Sequence, residues 1–436
     1  MGTITLKNIL MVIQRTINSV DNRLLNHGEQ VGYICMRMGL EMGYAHEQLL
    51  PLCALAMIHD IGAYKVEERS RMIEFEVERP HEHAVYGSLF VRRFGPFQNA
   101  DNIILYHHWN YENRYKIVDN RLIPSEAFLI HLADRVSVLY AHTGAQLAQA
   151  VQSQIPMMAG KTFDPDHVTL LMDMVKNSDM ISKLLDGSYL ADFYDFLDNE
   201  QLTSEEAISY LSILVYAIEF RSRQTVTHSI SVVSGAIQIA ELLDMSEQEL
   251  ETIRHAALLH DVGKITTPID ILTKPGALTD SEMEIMRRHV VATAEIMEGT
   301  GLDWISKVAS NHHEKLNGNG YPQGLSEQKL CRGSRILAVA DILTALVEPR
   351  YYKPALNKET VIGIMSKIAN AHEIDSDILA VVLNSYDQIT TEMANQQKQM
   401  LSLFDEMAKE YDQLLQGVHS VLDTLPKVEM STLKAA

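Results

Sequence analysis

The chain has 436 residues, 46% of them apolar and 22% charged, and it carries a net charge of −20 with 18 histidines. That balance fits a folded protein of two or more domains, and so acidic a composition excludes general binding to polymeric nucleic acid or to anionic membrane. Cys35, Cys53 and Cys331 show no CxxC spacing and are too few for a disulfide framework, which suits a reducing cytoplasm.

In chain order, Ile9-Leu10-Met11-Val12-Ile13 is an apolar run that stops at Gln14, too short for a membrane span and without a signal-peptide cleavage pattern. His27 follows, then ALAMIHDIGAYK, apolar at helical spacing up to His59-Asp60, which places that pair near the buried end of a helix. HAVYGSLF from His83, the pair His107-His108, HLADRVSVL with Asp134, and FDPDHVTLLM complete the first half. The polar run Asp198 to Gln201 then precedes Thr203-Ser204-Glu205-Glu206, a capping box that opens the first helix of a second half. A join this short implies packed domains.

The second half repeats the first. The interval from His228 to His260 equals that from His27 to His59, and HAALLHDVGKIT, HVVATAEIM from His289, His312-His313, LAVADILTAL with Asp341 and IDSDILAVVL follow in the same order. Each half is a set of amphipathic helices with few strand signals, so the fold is all-α, two tandem bundles over residues 1–198 and 199–385 with a C-terminal helix and tail over 386–436. That helix reads from about 383 to 424, with Ile389, Met393, Met400, Leu403, Met407, Tyr411, Leu414, Val418 and Val421 on one stripe. The stripe either forms a homodimer seam or packs back across both domains.

In the second half the candidate metal ligands are His228, His260, Asp261, His289, His312, His313 and Asp341. Imidazoles and carboxylates take borderline divalent ions, and a carboxylate bridges two ions where a neutral imidazole does not, which singles out Asp261. The set exceeds the needs of one four-coordinate zinc and lacks thiolates, so two six-coordinate ions, iron or alternatively manganese, fit better. A lone histidine on an apolar helix face is more often a core residue than a ligand. The ordered set carries the reading. After the second histidine pair, GNGYPQG forms a tight loop: Gly318 and Gly320 permit the turn, Pro322 stiffens its exit, and Tyr321 anchors the loop or faces a substrate base.

HDVGK, KPGALT, HHE, GNGYPQGL and ILAVAD, in this order over roughly residues 205–365, resemble the HD-GYP family, a subgroup of the HD metal-dependent phosphohydrolases. The resemblance implies hydrolysis of a cyclic dinucleotide, cyclic di-GMP or 3′,3′-cyclic GMP-AMP, to the linear dinucleotide by a hydroxide bridging two metals. It implies the ligand set above, Lys264 as a cation against the scissile phosphate, and substrate contacts from Lys264, Arg335, Tyr321, Gly320 and Pro322. Arg221, Arg223, Lys274 and Lys353 are further candidates for phosphate contact that compete with a reading as solvated surface charge.

Members that bind a third metal carry Glu one turn before the first ligand, where this chain has Gln224, so two ions are favoured. Thr293 stands where the family has Gly, and Thr344 where a second acidic residue is common, which bears on substrate preference. The first half keeps a parallel set, His27, His59, Asp60, His83, His107, His108 and Asp134, yet has Ala63 in place of the lysine, no KPG segment, and HHWNYENR in place of the glycine loop. It reads as an inactive domain with retained metal, a regulatory site, or a second enzyme of other specificity. For the whole chain the rival readings are a non-catalytic cyclic-dinucleotide receptor and another HD-type nucleotide phosphohydrolase.

Overall fold

The computed structural model describes residues 3–19, 25–64, 80–118, 121–220, 225–274, 276–348 and 355–425. Among these the chain is helical, with only isolated bridge pairs of extended residues, as the helical periodicity of both halves requires. No helix among the described residues is long and apolar enough to cross a membrane.

The two halves lay out matching helices. His27–Glu41, His46–Met57, Pro80–Phe94, Asp101–Leu105 and Ser125–Thr143 in the first half correspond to His228–Leu242, Glu247–Leu259, Asp280–Met297, Asp303–Ala309 and Arg332–Val347 in the second. FDPDHVTLLM and IDSDILAVVL both become helices capped by an aspartate, Asp164 accepting from the Asp166 N–H and Asp375 from those of Asp377 and Ile378. This is the capping chemistry their sequences share.

The expected capping box is present: Thr203 and Glu206 satisfy each other's backbone N–H at the start of Ser204–Glu219. The N-terminal helix, Leu6–Asn18, is held at the same join, because the Leu6 N–H donates to Glu200 O at 2.9 Å and the Leu202 N–H to Ile4 O at 2.9 Å. From there the Asn8 side chain donates to Thr300 O at 2.8 Å, tying the first helix to the second half. Phe90 packs edge-on against Phe220 and Phe94 stacks on Tyr216, so the halves share an aromatic contact as a short join implies.

The long helix runs Tyr386–Leu422. Ile389, Met393, Met400, Met407, Leu414 and Val418 from its stripe are buried within the chain itself, which settles the choice between seam and packing back in favour of packing back for those residues. Tyr411 stacks on Tyr86 of the first half at 3.8 Å and Phe404 meets Phe220 of the second at 5.3 Å. One helix thus spans both bundles and covers apolar surface on each, the main favourable term in their association.

Candidate metal centre and active site

The second cluster is assembled by helix ends. Glu247–Leu259 starts on a Ser246–Glu249 capping box, buries Ile253, Ala256, Ala257, Leu258 and Leu259, and delivers His260 and Asp261 where it ends. The chain then tightens into a 3-10 turn over Val262–Thr266. Only glycine fits at 263, since a Cβ there would lie 2.0 Å from His289 O. Thr293, the departure from the family's Gly, closes this junction: its hydroxyl accepts from the Gly263 N–H and donates to His260 O, both at 3.1 Å.

Asp261 lies at the centre. Its Oδ2 is 3.3 Å from His228 Nε2 and 3.2 Å from His260 Nε2, and its Oδ1 is 3.3 Å from His289 Nε2 and 4.0 Å from His312 Nε2. Asp341 Oδ1 stands 3.5 Å from His228 Nε2. The ligand atoms fall into two groups, His228 with His260 and Asp261, and His289 with His312 and His313. One carboxylate therefore faces both groups, the position of a bridging ligand.

The rings are oriented for cations. Nδ1 of His260, His289 and His312 each bonds the carbonyl three residues back, Ala257, Met286 and Ala309, at 2.7 Å. A proton on Nδ1 leaves Nε2 as a lone pair, and these Nε2 atoms and Asp261 Oδ1 are buried without a hydrogen-bond partner. Acceptors facing acceptors in a buried pocket are costly unless a proton or a cation lies between them. The residues present fit divalent metal.

Burial works to raise the Asp261 carboxyl, but His260, Lys264 and His228 outweigh it and hold it well below the usual carboxylate range. Burial and the adjacent imidazoles keep His312 far below its usual value, and burial takes His313 down to about 4. His228 differs: burial opposes its charge, yet the bonds to Asp261 and Glu348 push it up to about 10.

Lys264 bonds Asp261 Oδ2 from the adjoining turn, which puts a cation beside the cluster. The Tyr321 ring centroid lies 4.8 Å from that of His313 and 5.2 Å from the Arg287 guanidinium. Gly320 backs onto Glu314 and Lys315, where a Cβ would come within 2.3 Å of Lys315 N. The buried Glu314 carboxylate holds this loop by accepting from the Gln323 and Leu325 N–H groups at 2.7 and 2.9 Å.

Two expected phosphate contacts are otherwise engaged. Arg335 commits its guanidinium to Leu330 O, Glu327 and Asp375, and Lys274 bonds both oxygens of Glu282. Arg221, Arg223, Gln224 and Lys353 lie outside the described residues. Glu348, Gln397 and Glu219 were not singled out in the sequence. Glu348 is 8% exposed, accepts from Ser231 Oγ at 2.7 Å and Gln397 Nε2 at 2.8 Å, and faces His228. Burial pushes the Glu219 carboxyl up to about 7.

The first-half set converges in the same way. Asp60 Oδ1 is 3.2 Å from His83 Nε2 and 3.6 Å from His107 Nε2, while its Oδ2 is 3.4 Å from His59 Nε2 and 4.0 Å from His27 Nε2. Asp134 Oδ1 lies 3.3 Å from His27 Nε2.

Comparison with known proteins matches HD-domain models to residues 24–139 and 212–378. A 3′3′-cGAMP-specific phosphodiesterase 1 of Vibrio cholerae is 27% identical over 88% of this chain and 93% of its own length. The cyclic di-GMP phosphodiesterase response regulator RpfG of Xanthomonas campestris is 39% identical over 36% of this chain and 42% of its own length. Among solved structures, a cyclic GMP-AMP-specific phosphodiesterase of V. cholerae, V-cGAP3, superposes with a TM-score of 0.55 at 21% identity, over 88% of this chain and 98% of that one. This last likeness concerns the fold.

Proposed function

As the chain belongs to the HD-domain family and carries that domain twice, we propose that residues 199–385 hydrolyse a cyclic dinucleotide, 3′,3′-cyclic GMP-AMP or cyclic di-GMP, to the linear dinucleotide. The observation that carries this reading is the Asp261 carboxylate set between two groups of histidines with Lys264 against it. The relative that spans nearly its whole length with this chain is named for 3′3′-cGAMP, which makes that nucleotide the first substrate to try.

Asp261 holds charge toward both histidine groups, and Asp341 supplies a second carboxylate beside His228. When bound, two divalent ions would polarise a phosphoryl oxygen and acidify water. An all-nitrogen-and-oxygen donor set suits iron, with manganese as the alternative. Lys264 sits where it neutralises charge developing on a scissile phosphate, and Gly320, Tyr321 and Pro322 form the substrate-facing rim over His313. The substrate is an intracellular messenger, so the enzyme works in the cytoplasm. A homodimer through the C-terminal helix would use the face opposite its buried stripe.

The test is incubation of anaerobically purified protein, loaded with Fe(II) or Mn(II), with each cyclic dinucleotide, beside Asp261→Ala. Ring opening by wild type alone supports the reading and ranks the substrates. Nucleotide bound but intact would favour a receptor, and release of inorganic phosphate or pyrophosphate would indicate a different HD-type hydrolase.

A further inference from the structure

We propose that Arg287 binds the second phosphate of the cyclic dinucleotide, the one that is not being cleaved, and so favours two-phosphate rings over simpler phosphodiesters. The inference rests on the hydrolytic reading of the second half and adds to it a residue that decides which diesters are held well.

The helix that supplies His289 also supplies Arg287. Asp280–Met297 carries Arg287 and Arg288 just before that buried histidine. His289 Nε2 turns in toward Asp261 Oδ1 at 3.3 Å, whereas Arg287 is exposed. Its guanidinium reaches the glycine loop and lies over the Tyr321 ring, 5.2 Å from the centroid. That ring lies 4.8 Å from the ring of His313, which lies 5.2 Å from the ring of His289. Arg287, Tyr321 and His313 thus form a row from solvent to the histidine group on one side of Asp261.

Its charge is open to an anion. Three other cations of the second half are taken by carboxylates: Lys274 by Glu282 at 2.6 Å, Lys315 by Glu373 at 2.7 Å, and Arg335 by Asp375 at 3.1 Å and Glu327 at 3.4 Å. Arg287 has no carboxylate within ion-pair distance among the described residues, in a chain of net charge −20. A guanidinium holds its N–H donors in a planar fork that matches phosphate oxygens. Resting on an aromatic ring fixes that plane and leaves the edge donors free.

Lys264 and Arg287 belong to different ligand groups. Lys264 bonds Asp261 Oδ2, the oxygen that faces His228 and His260. Arg287 stands over the loop beside His313, a member of the other group. A cyclic dinucleotide is a closed ring of two nucleotides joined by two phosphodiesters, so it presents two anions. With one phosphate at the centre beside Lys264, the other meets the rim, where Arg287 is the waiting cation. A simple diester such as bis(p-nitrophenyl) phosphate has one phosphate and leaves Arg287 unused. The second phosphate does not change during cleavage, so the contact holds substrate and transition state alike and lowers KM without raising kcat.

Steady-state kinetics of the full chain loaded with Mn(II) test this in wild type, Arg287→Ala and Arg287→Lys, on the cyclic dinucleotides and on bis(p-nitrophenyl) phosphate. Arg287→Ala is expected to raise KM for the cyclic dinucleotide about 10-fold or more with kcat little changed. Arg287→Lys is expected to recover part of the loss, as a point charge without the fork. Both variants are expected to cleave bis(p-nitrophenyl) phosphate as wild type does. An unchanged KM for the cyclic dinucleotide in Arg287→Ala overturns the proposal. So does an equal loss on both substrates, which would make Arg287 a prop for Tyr321 or His289. The hydrolytic reading fails separately, if wild type leaves both cyclic dinucleotides intact. Calorimetric titration of the cyclic dinucleotide into Lys264→Ala and into the Lys264→Ala, Arg287→Ala double variant then decides alone. Weaker binding by the double variant supports the contact, and equal or absent binding in both overturns it.

Discussion

Oε2 of Glu348 stands 3.5 Å from Nδ1 of His228, a carboxylate where His260, His289 and His312 each meet a backbone carbonyl. The same carboxylate is held from behind by Ser231 and by Gln397 of the long C-terminal helix. A carboxylate behind a ligating imidazole fixes the ring and raises its basicity, and losing such a partner typically weakens metal binding ~10–100-fold. Glu348→Gln is therefore expected to shed metal faster than wild type in dialysis against a chelator, with Gln397→Ala showing a smaller effect in the same direction. Equal retention in all three would remove Glu348 from any part in placing His228.

Lys264 bonds Asp261 and stands outside the proposed ligand set. Lys264→Ala is expected to keep its metal and lose turnover by roughly 100-fold or more, the usual effect of deleting a preorganised charge beside a reacting phosphate. Metal content and kcat measured on the same preparation separate the two effects. A fall in both together would make Lys264 part of the metal site.

Both His-Asp pairs, the capping box at Thr203 and the tail helix were legible because their signals are local: helical periodicity, a cap motif, two adjacent residues. The convergence of His228, Asp261, His289 and Asp341 was legible only through their order, repeated in both halves. Glu348 and Gln397 were not, because they meet His228 and Ser231 across more than a hundred residues and carry no pattern of their own. Periodicity also left open what covers the stripe of the tail helix, since a seam with a second copy and a groove on the same chain demand the same spacing. Arg335 shows the converse: a cation near a motif in sequence whose partners, Glu327 and Asp375, come from the fold.

Thr293 read as a departure from the family, yet it is fully buried and bonds both Gly263 N and His260 O. Thr293→Val keeps the shape and strands both backbone groups, so it is expected to destabilise by about 1–3 kcal/mol. Chemical denaturation of the metal-free protein measures this without interference from ligand binding. A Thr293→Val midpoint equal to that of wild type would mean the junction is held by packing alone.

The tail helix is seated on the first half at a corner of three arginines and two carboxylates. Arg92 bonds Asp101 at 2.8 Å and reaches Glu410 of the long helix, Arg93 bonds Glu410 at 2.7 Å, and Arg121 grips both oxygens of Asp101 at 2.9 Å. Burial works to raise the Asp101 carboxyl, and the bonds from Arg121 and Arg92 outweigh it, so the folded value lies below the usual one. A carboxyl depressed by folding stabilises above its unfolded pKa, and that contribution is lost as pH falls through the folded value. Asp101→Asn leaves two guanidinium groups without their shared anion and is expected to lower the thermal midpoint at neutral pH. The gap between wild type and Asp101→Asn is expected to stay constant down to about pH 5 and to close below about pH 4, where the wild-type carboxyl gains its proton. A gap that widened on acidification would require the Asp101 carboxyl to be raised by folding, and the arginines would then not be what holds this corner together.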